Sequence, residues 1–383
     1  MTGLKTILFV SHKHPPSIGG METHNFHLKL GLEKSFKVIP LIIKPKESRI
    51  SFFWNIKSKM EKILHENHVD LVYVNDGLLA LVVSGLKVKF PSTLFTATIH
   101  GLEATFPVSI YQKNILPRLN HYDLFIAVSN FTKNILDNVD GLSKKTICIL
   151  NGIDHQVYQL SENEIVEFDK KYADFADKKV LLSVGRPVLR KGFSWFAQHV
   201  LPLLPDNVFY VVAGPLPKKS MIDSLRHNLL PKRLNHALNL ALGYPEDAAN
   251  LLTIRDNRLR LTGSVSYAEL NYLIERADLF IVPNIEVAGD AEGFGLVALE
   301  GAIRAKVVIA AYLQGLKDAI IHSKNGIVIL PKDVDEWLVY CKYYIENQDM
   351  GINFGKDAKN YTIQHYSWEK MSSQYVDAFY KLF

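Results

Sequence analysis

Two cysteines, Cys148 and Cys341, are all that 383 residues contain, too few for a disulfide framework. Long apolar runs are missing as well. The longest, residues 78–86, falls well short of the ~18 residues that a membrane-crossing helix needs. Ile7-Leu8-Phe9-Val10 is too short for the apolar region of a secretory signal. These absences lead us to expect a cytoplasmic protein. The spacings of a zinc site, a basic arm and the aromatic motif of an RNA binder are absent too. With a net charge of only +5, anionic small ligands or surfaces fit better than nucleic acid, and no nucleic-acid partner is expected. Asp333-Val334-Asp335 resembles a metal-binding D-x-D only superficially; it precedes a helical pattern and reads as a cap, so no metal is expected.

What is present is a repeated alternation of short apolar strands and helical stretches. The length, with 48% hydrophobic and 22% charged residues, fits two soluble domains better than one core. Strands read at residues 5–11, 37–43, 71–74, 94–99, 124–128 and 146–150, and again at 180–184, 208–213, 258–261, 278–283, 307–311 and 326–330. Strands alternating with helices imply parallel, helix-covered sheets, which bind ligands at the carboxyl ends of their strands. That singles out Gly19 and Gly20 in the first turn, Asn75 and Asp76, His100 before Gly101, and Ser129 before Asn130. His100 ends an apolar strand where an imidazole can face a cleft, although a lone histidine serves structure as readily as chemistry. The first turn is not G-x-G-x-x-G, so a dinucleotide fingerprint is absent. The helix after it is expected to bury Met21, Leu28 and Leu32.

The second half opens after a polar stretch, residues 161–178, that reads as a linker or a surface helix. Its first strand runs into Gly185-Arg186-Pro187-Val188-Leu189-Arg190-Lys191-Gly192. Arg186 and Lys191 share a glycine-bounded loop and can converge on one diphosphate, or stand as ordinary solvated loop cations. Gly263 and Val265 follow another strand. The densest stretch is Ala291-Glu292-Gly293-Phe294-Gly295-Leu296-Val297-Ala298-Leu299-Glu300, two carboxylates set across a glycine-loosened turn that leads into a helical pattern beginning near Phe294. Gly293 and Gly295 let the backbone approach a ligand, and the helix would turn free N–H groups and its positive end toward it. A diphosphate fits that description. Glu300 would lie about one and a half turns, roughly 8 Å, into the helix, so the two acids touch different parts of one elongated ligand. Taken alone, the pair also describes an ordinary helix with one favourable acid at its start and one solvated acid along it. The segment between Gly214 and Gly263 carries Lys218, Lys219, Lys232 and Arg233 and no chemistry that the spacing assigns.

With these residues in place, the chain resembles the retaining glycosyltransferases of the GT-B fold, family 4. The resemblance runs in order through Pro16-Ser17-Ile18-Gly19-Gly20-Met21-Glu22, Ile99-His100-Gly101, Asn151-Gly152-Ile153-Asp154, Gly185-Arg186 with Lys191-Gly192, Gly263 with the helix leading to Ala277-Asp278, and Glu292 to Glu300. It implies an α/β architecture of GT-B type, two facing Rossmann-like domains with a central cleft. An acceptor domain would occupy residues 1–160, a linker 161–178, a nucleotide-sugar domain 179–365, and a helix crossing back to the N-terminal domain 366–383. By the same resemblance, Arg186 and Lys191 match diphosphate-binding cations, Glu300 the acid on the nucleotide ribose, and Glu292 the acid facing the donor sugar. Gly293, Phe294, Gly295, Leu296 and Val297 would lie beside sugar and phosphate, joined on the donor side by Gly185, Gly263 and Val265. Gly19 and Gly20 match a loop that meets the phosphates, and His100 a histidine near the reacting carbon. Glu292, His100, Arg186 and Lys191 are the catalytic candidates; Asn75, Asp76, His100 and Ser129 are the acceptor-side candidates. The sequence departs from the family pattern at Gly301-Ala302-Ile303-Arg304-Ala305-Lys306, in the length of the segment from Gly214 to Gly263, and at Asn75-Asp76.

The chemistry implied is retaining transfer of a hexose-type sugar from a UDP- or GDP-linked donor to a glycan or lipid-linked glycan acceptor. It needs no metal and no cofactor beyond the nucleotide-sugar co-substrate. Arg186, Lys191 and the helix N-terminus would stabilise the leaving diphosphate. No residue identifies itself as the nucleophile of a double displacement, so the acceptor hydroxyl would pass its proton to the departing phosphate. Two rivals are a GT-B sugar-nucleotide epimerase or phosphorylase, and a catalytically silent subunit that only binds sugar nucleotide. Residues 46–65 interleave Phe52, Phe53 and Trp54 with Lys46, Arg49, Lys57, Lys59 and Lys62. This stretch reads either as a helix packed on its own domain or as a peripheral contact with an anionic membrane at the inner face of the cell.

Overall fold

The apolar runs become parallel strands in a computed structural model, which describes residues 3–17, 19–156, 158–216, 235, 237–240 and 243–383. Ile18 of the first turn and the cations Lys218, Lys219, Lys232 and Arg233 lie outside the described residues. Contacts divide the chain into two units, Met1–Ile153 with Tyr366–Phe383, and Asp154–His365.

In the first unit, β1 (Thr6–Ser11), β2 (Lys37–Ile42), β3 (Leu71–Val74), β4 (Leu94–Ile99), β5 (Leu124–Ala127) and β6 (Thr146–Cys148) form one sheet in the order β2-β1-β3-β4-β5-β6. β1, β3 and β5 are buried along their whole length, as strands covered by helices on both faces must be, which is why they read as unbroken apolar runs. β2 lies at the edge and is only half-buried, so Pro40 is tolerated in it.

Most of residues 46–65 lies in the helix Arg49–Glu66, which packs one face on its own domain. Ser48 caps it by accepting from the Ser51 amide, and Phe52, Ile56, Met60 and Leu64, four apart on one face, enter the core of the sheet. Phe53 packs edge-on against His12. Of the apolar residues only Ile50 and Trp54, 73% and 82% exposed, are left to solvent. Among the described residues no helix is long and apolar enough to cross a membrane.

The helix Gly20–Leu32 departs from expectation. Leu28 and Leu32 are buried, but Met21 is half-exposed, and Glu22, His24 and Asn25 are buried in its place. That face turns to the polar carboxyl end of the sheet, where the Asn25 amide donates to the Lys13 carbonyl at 2.9 Å. The helix Trp368–Tyr380, capped by Ser367, packs on it. The two cross closely at Gly31, where any Cβ would run into Ser372. Buried hydroxyls of Tyr73, Thr98 and Tyr375 form a chain, at 2.8 and 2.9 Å, that ties this last helix to β3 and β4.

The second unit repeats the plan with β7 (Lys179–Val184), β8 (Val208–Ala213), β9 (Leu259–Gly263), β10 (Leu279–Val282), β11 (Val307–Ala311) and β12 (Ile327–Ile329), in the order β12-β11-β10-β7-β8-β9. Residues 161–178 are not a free linker. Ser161 and Glu164 form a reciprocal capping box that starts the helix Glu162–Lys171, and Phe168 and Tyr172 pack on Tyr272 of the same unit. Ser266 and Asp333 cap the helices Tyr267–Arg276 and Val334–Glu346. The helix Leu296–Ile303 begins two residues later than expected, because Gly295 takes φ 89° just before it. Glu300 is therefore only about one turn, roughly 6 Å, into the helix.

In each sheet the chain reverses direction of travel once, between β1 and β3 and between β7 and β10. Such reversals open a crevice at the carboxyl ends of the two strands.

Ala305, in the run that departs from the family pattern, has φ 56°, a left-handed conformation that strains any residue with a Cβ. Ala305→Gly should therefore raise stability by about 1 kcal/mol despite glycine's greater freedom when unfolded. Urea unfolding measures this directly, and a midpoint that stays or falls would show that the position carries no strain.

Candidate functional site

At the crevice of the second unit, two loops meet. The loop after β7 turns at Gly185, makes a single helical turn at Leu189–Lys191, and ends at Gly192. Gly192 has φ 66° and lies so close to the segment just after β10 that a Cβ would strike the Pro283 carbonyl, so glycine is required there twice over. The Ile285 amide donates to the Arg190 carbonyl at 2.9 Å, stitching the loops together.

Where they meet, Lys191 Nζ lies 2.6 Å from Glu292 Oε2. Arg190 Nη1 and the Asn284 amide reach the same oxygen at 3.0 Å each, and none of the three donors is directed to Oε1. Arg190 also sends Nε to Asp290 Oδ1 at 3.2 Å. Gln314, after β11, accepts from the Glu292 amide at 2.6 Å and donates to the Asp290 carbonyl at 3.2 Å. Burial would raise the Glu292 carboxyl, but the charges of Arg190 and Lys191 overcome it and hold the group down at about 2. Burial pushes Asp290 up against the pull of Arg190, and lowers Lys191 against the pull of Glu292. The helix Leu296–Ile303 starts beside this cluster and carries Glu300, whose carboxyl burial raises against the charges of Arg304 and Lys191.

The crevice of the first unit holds a second polar cluster. His12 Nδ1 pairs with Asp76 Oδ2 at 2.9 Å, and Asp76 Oδ1 accepts from the Leu79 amide at 2.8 Å. Burial would raise Asp76, but His12 and that amide bring it below its ordinary value. His100 Nε2 lies 2.9 Å from the Asn75 carbonyl; a carbonyl only accepts, so Nε2 carries the proton. His24 Nδ1 likewise donates to Asn151 Oδ1 at 2.8 Å. Burial and the neighbouring His100 lower His24 to about 3, so it stays neutral.

The profile of the family described as Glycosyl transferases group 1 matches residues 164–361, more than half of the chain. The chain belongs to that family. A second profile, Glycosyltransferase Family 4, matches residues 31–157 of this transferase. An uncharacterized glycosyltransferase of Methanocaldococcus jannaschii is 24% identical over all of both chains. A GDP-mannose-dependent alpha-(1-6)-phosphatidylinositol monomannoside mannosyltransferase of Mycobacterium tuberculosis is 22% identical over 83% of this chain and 78% of its own. HepE of Anabaena, solved in complex with UDP-glucose, has 19% identity and a TM-score of 0.70 over 98% of this chain and 99% of its own. At that identity the likeness is one of fold, and it agrees with the α/β GT-B architecture expected from the sequence.

The structure brings together only part of what spacing pointed to in this transferase. Lys191 and Glu292 meet. Arg186 does not join them: the one-turn helix carries the chain past it, and its exposed guanidinium donates to the Gly243 carbonyl at 3.3 Å. The guanidinium that stands beside Lys191 is that of Arg190, and it is bonded to Asp290 and Glu292. Phe294 is buried, Gly293, Leu296, Val297 and Glu300 are half-buried, and all follow Glu292 directly. Gly263 and Val265 lie at the end of β9, two strands and so about 10 Å from β7. Gly19 precedes and Gly20 opens the first helix of the chain, with Gly19 against the buried Glu22 carboxylate. Asn75, Asp76 and Ser129 are fully enclosed, and Asp76 and Ser129 cap the helices that follow them.

Sequence reasoning missed Arg190, Asn284, Asp290, Gln314 and His24. Asp247 was missed as well: its carboxylate accepts from the Ser194 amide at 2.9 Å and its own amide donates to Pro187, so the described end of the long insertion braces the cation loop. Only the adjacency of Arg190 to Lys191 was visible beforehand.

Because the folded Glu292 lies below its unfolded value, its ionisation adds stability above the unfolded value of 4.5, and that contribution drains away as the pH falls toward 2. At pH 7, Glu292→Gln should cost on the order of 3 kcal/mol of stability. Urea unfolding at pH 7 and pH 3 should show the gap narrowing; an equal gap at both would mean that the ion pair is not formed.

Proposed function

We propose that this chain is a retaining transferase that moves a hexose-type sugar from a UDP- or GDP-linked donor to a glycan or lipid-linked glycan acceptor. The observation that carries the reading is the buried Lys191–Glu292 pair, with Arg190 and Asn284 on the same carboxylate, at the crevice of a Rossmann-ordered sheet and beside a helix N-terminus. Two relatives in sequence or fold support the donor class: one is GDP-mannose-dependent, and the other was solved with UDP-glucose.

In this reading Lys191 and the amides at the start of the helix Leu296–Ile303 take the diphosphate, and charge growing on the leaving phosphate is met by preorganised positive groups. Arg186 leaves the Gly243 carbonyl to join them. These groups supply the charge, so the reaction takes no metal and no cofactor beyond its co-substrate. Glu292 accepts from the sugar hydroxyls and Glu300 from the ribose. Attack comes from the face that the phosphate leaves, and the acceptor hydroxyl gives its proton to that phosphate, so configuration is kept. His100, with its Nε2 proton committed to Asn75, turns Nδ1 to the acceptor side.

UDP-, GDP- and ADP-sugars should be tested for raising the melting temperature, since a donor that binds the native state stabilises it. One nucleotide class should stabilise the wild type and not Lys191→Ala. Glu292→Gln and Lys191→Ala should each lower turnover ~100-fold; near-normal turnover in either would overturn the site. Products showing epimerisation or phosphorolysis, or binding without turnover, would replace the transferase with one of its two rivals.

A peripheral membrane contact also belongs to this reading. Ile50 and Trp54 stand exposed, one helical turn apart, on a helix that also carries Arg49 and Lys57. Wild type should co-sediment with vesicles containing anionic lipid, and Trp54→Ser with Ile50→Ser should abolish it; equal binding to neutral vesicles would refute the charge contribution.

A further inference from the structure

The loop Asp290-Ala291-Glu292 is held from two sides by residues that the transfer chemistry does not itself require. From one side the Arg190 guanidinium forks between Asp290 Oδ1, at 3.2 Å, and Glu292 Oε2, at 3.0 Å. From the other, the Gln314 amide group clasps the backbone at Glu292 N and Asp290 O, at 2.6 and 3.2 Å. Gln314 does this from φ 47°, a left-handed conformation that a residue with a side chain adopts only when its surroundings impose it. The neighbouring Gly315 amide donates to the Glu292 carbonyl at 3.0 Å and completes the clasp.

We propose that Arg190 and Gln314 are positioning residues that aim the Glu292 carboxylate at the sugar of the nucleotide sugar, and so govern recognition of the sugar rather than of the nucleotide. The proposal rests on the reading of Glu292 as the sugar-facing acid. A carboxylate that accepts from sugar hydroxyls must be ionised and fixed in direction. Here three donors from two loops converge on Oε2 and none is directed to Oε1, which fixes the plane of the group and leaves its second oxygen for a ligand. The groups facing Glu292 are Lys191 and Arg190 from the loop after β7, Asn284 from the segment after β10, Asp290 in its own loop and Gln314 after β11. Lys191 serves the diphosphate as well, so its loss would weaken both parts of the donor. The side-chain bonds of Arg190 and Gln314 go to the acid's loop, so the loss of these side chains should weaken one part. A planar fork that spans two carboxylates has no counterpart in a single ammonium.

The test is calorimetric titration of UDP against UDP-glucose and of GDP against GDP-mannose on the full chain. It uses wild type, Arg190→Gln, Arg190→Lys and Gln314→Gly, with the melting temperature of each. For the pair that the wild type binds, Arg190→Gln and Gln314→Gly should shift the ratio of sugar-nucleotide to diphosphate affinity about tenfold against the sugar nucleotide, leaving diphosphate affinity within about twofold. Gln314→Gly should do so without a lower melting temperature, because glycine is at ease at that φ. Arg190→Lys should resemble Arg190→Gln. An unchanged ratio, full rescue by lysine, or equal loss of both ligands would overturn the positioning role while the nucleotide-sugar site stands. Failure of the wild type to bind any of the four would overturn that site and the positioning role together.

Discussion

Everything at the crevice of the second unit depends on the ion pair between Lys191 and Glu292, because neither charge is tolerable there without the other. Both side chains are about nine-tenths buried, and an unpaired charge so placed costs several kcal/mol, roughly the margin by which a domain is stable at all. The loop after β7 and the loop after β10 are therefore not free to choose their shapes separately. Gly192 has to let the Pro283 carbonyl in, and Gly315 has to let the Gly293 carbonyl in, before the two chains can bring the charges to 2.6 Å. Arg190, Asn284 and Gln314 then remove the remaining freedom. An acid held this way is prepared before any ligand arrives, and preparation in advance is what makes electrostatic stabilisation effective in a site from which water is excluded.

Much of this fold was legible because its strands are covered on both faces: β3, β4, β8 and β11 were bounded to the residue from apolar runs alone. Legibility failed where a residue's role is set across the sequence rather than along it. Arg190 meets Asp290 and Glu292 from a hundred positions away, and no local spacing announces that. Counting along the loop pointed to Arg186, which lies ahead of the turn Leu189–Lys191 and bonds the Gly243 carbonyl, while the guanidinium beside Lys191 is that of Arg190. His24 was hidden for another reason. The periodicity of the helix Gly20–Leu32 was read as apolar, whereas its inner face looks onto the polar end of a parallel sheet, where a neutral imidazole paired to Asn151 is as well accommodated as a leucine. Asp76 and Ser129 were singled out for standing at strand ends, and the same position makes them helix caps.

The first unit is completed by a segment that lies beyond the whole of the second. Ile153, its last residue before the interruption, and Ser367, just after its resumption, are bridge partners, and Gly152 is pressed against the backbone of Ser367 and Trp368. Topologically the second unit is an insertion between two adjacent points of the first. Its own strands and helices are contiguous in sequence, so it has all its partners as soon as residue 365 has been added. The first unit does not: the hydroxyl chain through Tyr73 and Thr98 and the His24, His27 and Gly31 face of the helix Gly20–Leu32 wait for Tyr375 and its helix. During translation the part made first is thus the part finished last.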